Sequence, residues 1–231
     1  MRISPAWLRE FVNIKADDRT LANELTHIGI AVESVHGEGA NTIYEMDITT
    51  NRVDAMNHYG VARECSALYN VNLEPIAPKL PTAKGKPDFK IEIEDKPGCA
   101  RYTARIIRGV KIIDSPQKIQ ERLELLGAGR ISNAVDASNY TLHELGHPTH
   151  AFDLDLLEGG TIVVRRARAG ESLKTLDGVD RKLHPEDLVI ADAKKPVALA
   201  GVMGGFDTMI LPPSRVSRSK ACVGWPISYR V

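Results

Sequence analysis

His143, Glu144 and His147 stand in the pattern H-E-x-x-H. On a helix, two histidines one turn apart can bind zinc while the glutamate beside them activates the zinc-bound water. Asp153 follows at the distance of a third ligand. Other features of the same stretch oppose a zinc hydrolase. Pro148 directly follows the second histidine, and the residue before a proline is pushed out of the helical region. The longer zinc-protease pattern wants glycine where His150 stands. The competing reading is a helix end carrying polar surface groups. His143, His147, His150 and Asp153 could instead form a non-catalytic metal cluster, but structural zinc sites usually include cysteine, and none is close in sequence. The expectation is no bound metal.

Three further groups could carry chemistry. Val202-Met203-Gly204-Gly205 follows a strand-like run, and glycines there let a backbone approach a ligand closely or let a strand bend. The block matches neither a dinucleotide fingerprint nor a P-loop. Arg101, Arg105 and Arg108, then Arg165, Arg166 and Arg168, fall on strand edges, where they either hold phosphate or form a solvated face. Thr50-Asn51-Arg52-Val53-Asp54 joins a strand to a helix. Asn51 and Asp54 are suited to cap that helix, and Arg52 to pair with a local carboxylate.

The elements that must position these residues follow from apolar spacing. Trp7, Leu8, Phe11 and Val12 predict a helix after Pro5. Asp17-Asp18 cap a second, with Leu21, Ala22, Leu25 and Ile28 on one face. Residues 30–35 read as a strand, 37–41 as a turn, 43–49 as a half-buried strand by alternation, and 58–69 as a helix. Residues 75–88 interleave prolines with lysines and lose the apolar period, which predicts a linker. Beyond it, 89–94 and 102–113 read as strands. Ser115-Pro116 opens a helix lined by Ile119, Leu123 and Leu126, and 133–145 forms another. Short strands follow at 162–164, 173–176, 188–191 and 197–202. Strands and helices are segregated rather than alternating as βαβ, so the fold class is α+β. The expected organisation is a domain over 1–74, a linker over 75–88, a second domain over 89–210 and an irregular tail over 211–231.

The 231 residues carry 30 Lys+Arg against 30 Asp+Glu, so bulk charge does not indicate a strongly basic nucleic-acid binder. Hydrophobic residues at 43% suit a folded soluble chain. No apolar run is long enough for a membrane span, and the N-terminus lacks a signal-peptide core. Cys65, Cys99 and Cys222 form neither a CxxC pair nor a disulfide framework, which suits a reducing, cytoplasmic setting.

Taken in order, longer segments resemble one family. Residues 1–12 (MRISPAWLREFV), Thr26 to Glu33, Asp47 to Asp54 and Gly60 to Glu64 look like the opening of the bacterial phenylalanyl-tRNA synthetase beta subunit. Arg101-Tyr102, Ile107 to Val110, Asn133 to Asp136, Ser138-Asn139-Tyr140, Gly146-His147-Pro148, His150 to Asp153, Thr175 to Gly178, Asp187 to Asp192 and Val197 to Gly205 resemble its editing domain. The family usually has an apolar residue at position 143 and glutamine at 147, so the resemblance makes both histidines local substitutions rather than ligands.

The resemblance implies a role in joining phenylalanine to its tRNA. The complete enzyme would use ATP and magnesium, with the chemistry in the alpha subunit; no cofactor is expected in this chain. The beta subunit would give structural support, contact tRNA and hydrolyse mischarged Tyr-tRNA, because binding alone separates similar amino acids poorly. The implied editing-pocket residues are Ser138, where the family often has threonine, Asn139, His150 and Gly204. No nucleophile is implied, and the catalytic group stays unassigned. The implied partners are the alpha subunit and tRNA, with no membrane and no DNA. Only Gly37 to Asn41 stands where most bacterial members insert an oligonucleotide-binding barrel. The match ends near Ile210, before the acidic pocket residue, which implies a partial editing site unable to aminoacylate or edit alone. An inactive tRNA- or protein-interaction module of the same fold is the alternative.

Overall fold

The computed structural model describes residues 1–83, 85, 88–210 and 219–227, the last stretch as backbone only. The chain divides into two compact units. Unit 1 comprises Met1–Thr82, Ser115–Ile131 and Asp136–Pro148; unit 2 comprises Ala83–Asp114, Ser132–Val135 and Thr149–Val231. This corrects the expected organisation. The helical segments within 115–148, assigned to the second domain, cluster mainly with the N-terminal residues instead. Nothing in local composition marks that return, because long-range packing creates it.

Unit 1 is built on a three-stranded antiparallel sheet of β1 (Arg2–Ile3), β2 (Ala31–His36) and β3 (Ile43–Asp47), in the order β1-β3-β2. Its helices are α1 (Pro5–Leu8), α2 (Asp18–His27), α3 (His58–Tyr69), α4 (Gln117–Leu125) and most of α5 (Asn133–Leu145). Asp17 caps α2 by accepting from the N–H groups of Arg19 and Thr20, both at 3.0 Å. Leu21, Ala22 and Leu25 of α2 and Val61, Ala62 and Cys65 of α3 form a core with Tyr44 and Met46. The half-buried pattern expected for β3 forms over Tyr44 to Asp47, with Tyr44 and Met46 buried and Asp47 exposed. Ile43 departs from it, being buried as well and packed with Trp7 and Leu126. The first helix stops at Leu8, four residues earlier than its apolar spacing predicts.

Two caps differ from expectation. Asn57, rather than Asn51 or Asp54, caps α3, its side chain accepting from Gly60 N–H at 2.7 Å. Asp54 instead receives Arg52 and Arg63, and Arg52 also reaches Glu64 at 2.8 Å. Ser115 donates its hydroxyl to buried Asp136 at 2.6 Å, which leaves Pro116 at the cap position of α4.

Unit 2 contains β4 (Lys90–Ile93), β5 (Arg101–Val110), β6 (His150–Asp153), β7 (Thr161–Arg166), β8 (Ser172–Lys174), β9 (Asp180–Lys182), β10 (Leu188–Ala191), β11 (Pro196–Leu199), β12 (Met203–Gly204) and β13 (Ser219–Ile227). The largest sheet runs β12-β11-β10-β7-β4, antiparallel except for the parallel β4–β7 pair. Strands β8 and β9 form a hairpin. A third sheet has the order β5-β13-β6. Here the irregular-tail expectation fails over 219–227, which pairs antiparallel with strands on both sides. Two strands with unpaired backbone groups form a template that an extended segment satisfies whatever its apolar period. Residues 211–218 and 228–231 lie outside the described residues. Tyr102, Phe152, Ile162, Val164, Ile190 and Val197 lie at the heart of the unit's core. Among the described residues no helix is long and apolar enough to cross a membrane.

Candidate functional site

His150 opens β6 and Gly204 closes β12, and the fold of unit 2 sets one against the other. A Cβ placed on Gly204 would lie 2.5 Å from Nε2 and 3.1 Å from Nδ1 of His150, and closer still to Cε1. The imidazole therefore occupies the space a side chain would need. Backbone bonds hold the glycine in place: its carbonyl accepts from Leu176 N–H at 3.0 Å, and Gly205 N–H donates to Val197 at 2.8 Å. The close approach expected of the Gly-Gly block is present, but what it admits is a histidine ring of the same unit.

His150 Nε2 is inaccessible and has no hydrogen-bond partner among the described residues. The ring packs edge-on to Phe152, with centroids 4.5 Å apart at 76°. Phe152 is buried in the core, so it forms a fixed floor. Burial pulls the His150 pKa down to about 4, which leaves the imidazole neutral at pH 7. A neutral imidazole beside an ester can orient water or accept a proton. Phe152 was not singled out from the sequence. The signal was available: in a strand, residues two apart share a face.

Ser138 and Asn139 stand next to each other on α5, both half-buried, and belong to unit 1. Of the four expected pocket residues, the structure brings together His150 and Gly204 within unit 2.

The H-E-x-x-H stretch does not form a metal-binding helix. The helix ends at Leu145, and Gly146 takes φ +71°, the left-handed conformation that suits glycine and terminates helices. His147 thus lies beyond the helix on which His143 stands. Among the described residues no group of three His, Cys, Asp or Glu side chains is gathered for a metal. His143 instead contributes its carbonyl, which accepts from Nδ1–H of His58 at 2.8 Å. His58 Nε2 accepts from Ser4 N–H at 3.0 Å, and its ring stacks on Trp7 at 4.1 Å. Burial pulls its pKa down to about 3, so it is a neutral, fully bonded structural tie. A hollow lined by Asp88, Phe89, Lys90, Gly159 and Gly160 opens by β4, at the other edge of the large sheet from Gly204.

Residues 98–215 match the B3/4 domain family. The phenylalanine–tRNA ligase beta subunit of Anaeromyxobacter dehalogenans is 51% identical over 172 residues, covering 74% of this chain and 22% of that protein. The one from Carboxydothermus hydrogenoformans is 44% identical over 188 residues, covering 81% and 24%. The chain thus spans under a quarter of the length of these relatives. A crystal structure of an N-terminal fragment of the phenylalanyl-tRNA synthetase beta subunit from Pyrococcus horikoshii aligns with 97% of this chain and 67% of that one, at 12% identity and a TM-score of 0.48. With its second half matched to the B3/4 domain and its sequence close to those bacterial subunits, the chain belongs to the phenylalanine–tRNA ligase beta subunit family.

Proposed function

We propose that this chain serves the editing function of a phenylalanine–tRNA ligase, handling the aminoacylated end of tRNA mischarged with tyrosine. The observation that supports this reading is the neutral, unpartnered imidazole of His150 seated on Gly204, inside the region matched by the B3/4 family. In this reading His150 orients the ester or its attacking water. Ser138 and Asn139 enter on the resemblance alone. Support of an alpha subunit, and the ATP and magnesium of aminoacylation, belong to the same proposal for the complete enzyme.

One observation favours a second reading. Nε2 of His150 has no solvent-accessible surface, which suits a binding module of the same fold that has no hydrolytic role. The deciding experiment follows loss of labelled tyrosine from Tyr-tRNA, together with binding of a non-hydrolysable tyrosyl-adenosine analogue. Hydrolysis that falls about 100-fold or more in His150→Ala supports editing, since a positioned acid–base group is worth about that much. Analogue binding that depends on His150 without hydrolysis supports the binding module. Hydrolysis and binding both indifferent to His150 overturn the site.

A further inference from the structure

Among the described residues most arginines, though not most lysines, are ion-paired. Arg2, Arg9, Arg52, Arg63, Arg122, Arg130, Arg165, Arg166 and Arg181 each meet a carboxylate. Strand β5 departs from this. Arg101, Arg105 and Arg108, with Lys111 just beyond the strand, are exposed and show no ion pair among the described residues. From Lys96 to Ile113 the sequence contains no acidic residue, although the whole chain is balanced. Asp95 before this run is paired with Arg166. Asp114 after it is exposed.

Register decides where these charges point. Tyr102 and Ala104 pack against the unit 2 core, so Arg101, Thr103 and Arg105 occupy the opposite, outward face. Four residues of strand separate the Cα atoms of Arg101 and Arg105 by about 13 Å. Strict alternation would send Arg108 inward with Ile106. A bulge prevents this: Ile107 and Val110 face Ala221 and Ser219, so β5 carries one extra residue. Gly109 in that bulge has φ +71°, a conformation only glycine adopts readily. The bulge re-aims Arg108, which is exposed. Asp153, which the register puts on the outward face two strands away, is buried and accepts from Asp155 N–H at 3.0 Å. It does not neutralise the row.

We infer that the outward face of β5 binds the phosphate backbone of RNA, with Arg101, Arg105 and Arg108 as the contacting residues. Arginine forks match phosphate oxygens, and side chains standing off a strand face meet a polyanion lying across it rather than a peptide added at its edge. The choice of RNA among polyanions rests on the proposed tRNA-handling function. Contacts of this kind position the nucleic acid and carry no sequence preference.

The test measures binding of unacylated tRNA and of an unrelated RNA hairpin to the full chain by fluorescence anisotropy, from 50 to 200 mM salt. Arg101→Ala/Arg105→Ala/Arg108→Ala should lower affinity at least about tenfold at low salt for both RNAs. It should also flatten the log–log salt slope by about 2, from three lost contacts of about 0.7 each. A control, Arg2→Ala/Arg63→Ala/Arg130→Ala, removes the same charge from paired residues and should change binding far less. Melting curves confirm that each variant is folded, and Gln in place of each Arg, which removes the charge and keeps a long polar side chain, replaces a variant that is not. Equal losses in both triples, or equal displacement of RNA by polyglutamate, overturn the inference. Failure of the editing reading is read from hydrolysis of the tyrosyl ester and failure of this one from salt-dependent binding of unacylated RNA, so the two are separable.

Discussion

Replacing Gly204 with alanine tests whether the His150 ring and the Gly-Gly backbone are as closely fitted as described. The new Cβ would stand 2.5 Å from His150 Nε2, where 3.4 Å is the near limit of ordinary contact, so the ring must retreat by about 1 Å. It cannot retreat into Phe152, which is buried and already in edge-on contact. Nor can the glycine yield freely, since its carbonyl holds Leu176 and its neighbour holds Val197. Overpacking of this kind costs about 1–3 kcal/mol. In a chain of this size that lowers the melting midpoint by about 2–4 °C per kcal/mol. Urea melts of wild type, Gly204→Ala, His150→Ala and the double variant form a cycle. Removing the ring opens the space, so alanine at 204 should cost at least about 1 kcal/mol less in the His150→Ala background. Additive costs within about 0.5 kcal/mol would refute the close fit. Gly129→Ala, where nothing lies within 4 Å, is the matched control and should be near neutral.

Gly60→Ala should be costlier than Gly204→Ala, about 3 kcal/mol in urea melts, because its Cβ would lie 2.9 Å from the backbone carbon of Asp54 and closer still to its oxygen, and backbone cannot swing aside. Stability should fall as pH drops below 6.5. Burial holds His58 at about 3 and His150 at about 4, so between those values and 6.5 the unfolded chain binds protons that the fold refuses. His150→Gln should flatten the fall between pH 6.5 and 4 in urea midpoints, and an unchanged slope would mean the ring is not desolvated. His58→Phe keeps the stacking on Trp7 but strands Ser4 N–H and the His143 carbonyl, for a loss of about 2–4 kcal/mol by thermal melting. Calorimetric titration with zinc should show no tight site, and one equivalent bound by wild type but not by His143→Ala would reverse the account of the H-E-x-x-H stretch.

Local rules located most elements and few of their connections. The Asp17 cap and the 3.6-residue period marked α2 to within a residue, and the α+β class followed from the order of elements. Short-range chemistry misled where a distant partner competed. Ser115 has the side chain of a helix cap, yet it bonds Asp136. Asp54 can cap α3, yet two arginines claim it. The zinc motif is a statement about helix length, and Gly146 decides that length. For the site, the resemblance put His150 and Gly204 in one pocket with Ser138 and Asn139. Their mutual fit could not be read, because it depends on where two strands far apart in the chain meet.

The discontinuous make-up of unit 1 bears on how the chain is born. Trp7 and His58 emerge from the ribosome early, but Tyr140, which packs on Trp7 at 4.7 Å, and His143, which receives the His58 Nδ1–H, are made some eighty or more residues later. A nascent chain halted at Thr82 holds all three strands of the unit's sheet and neither of the helices that return to it. Trp7, β3 and one nitrogen of His58 then face solvent without their cover. Vectorial folding, one segment completed before the next begins, is closed to this topology: closure of long loops sets the pace, and apolar surface stays open to wrong partners meanwhile. Translation must run to Pro148 before the first unit can seal, by which point β4 and β5 of the other unit have already been made.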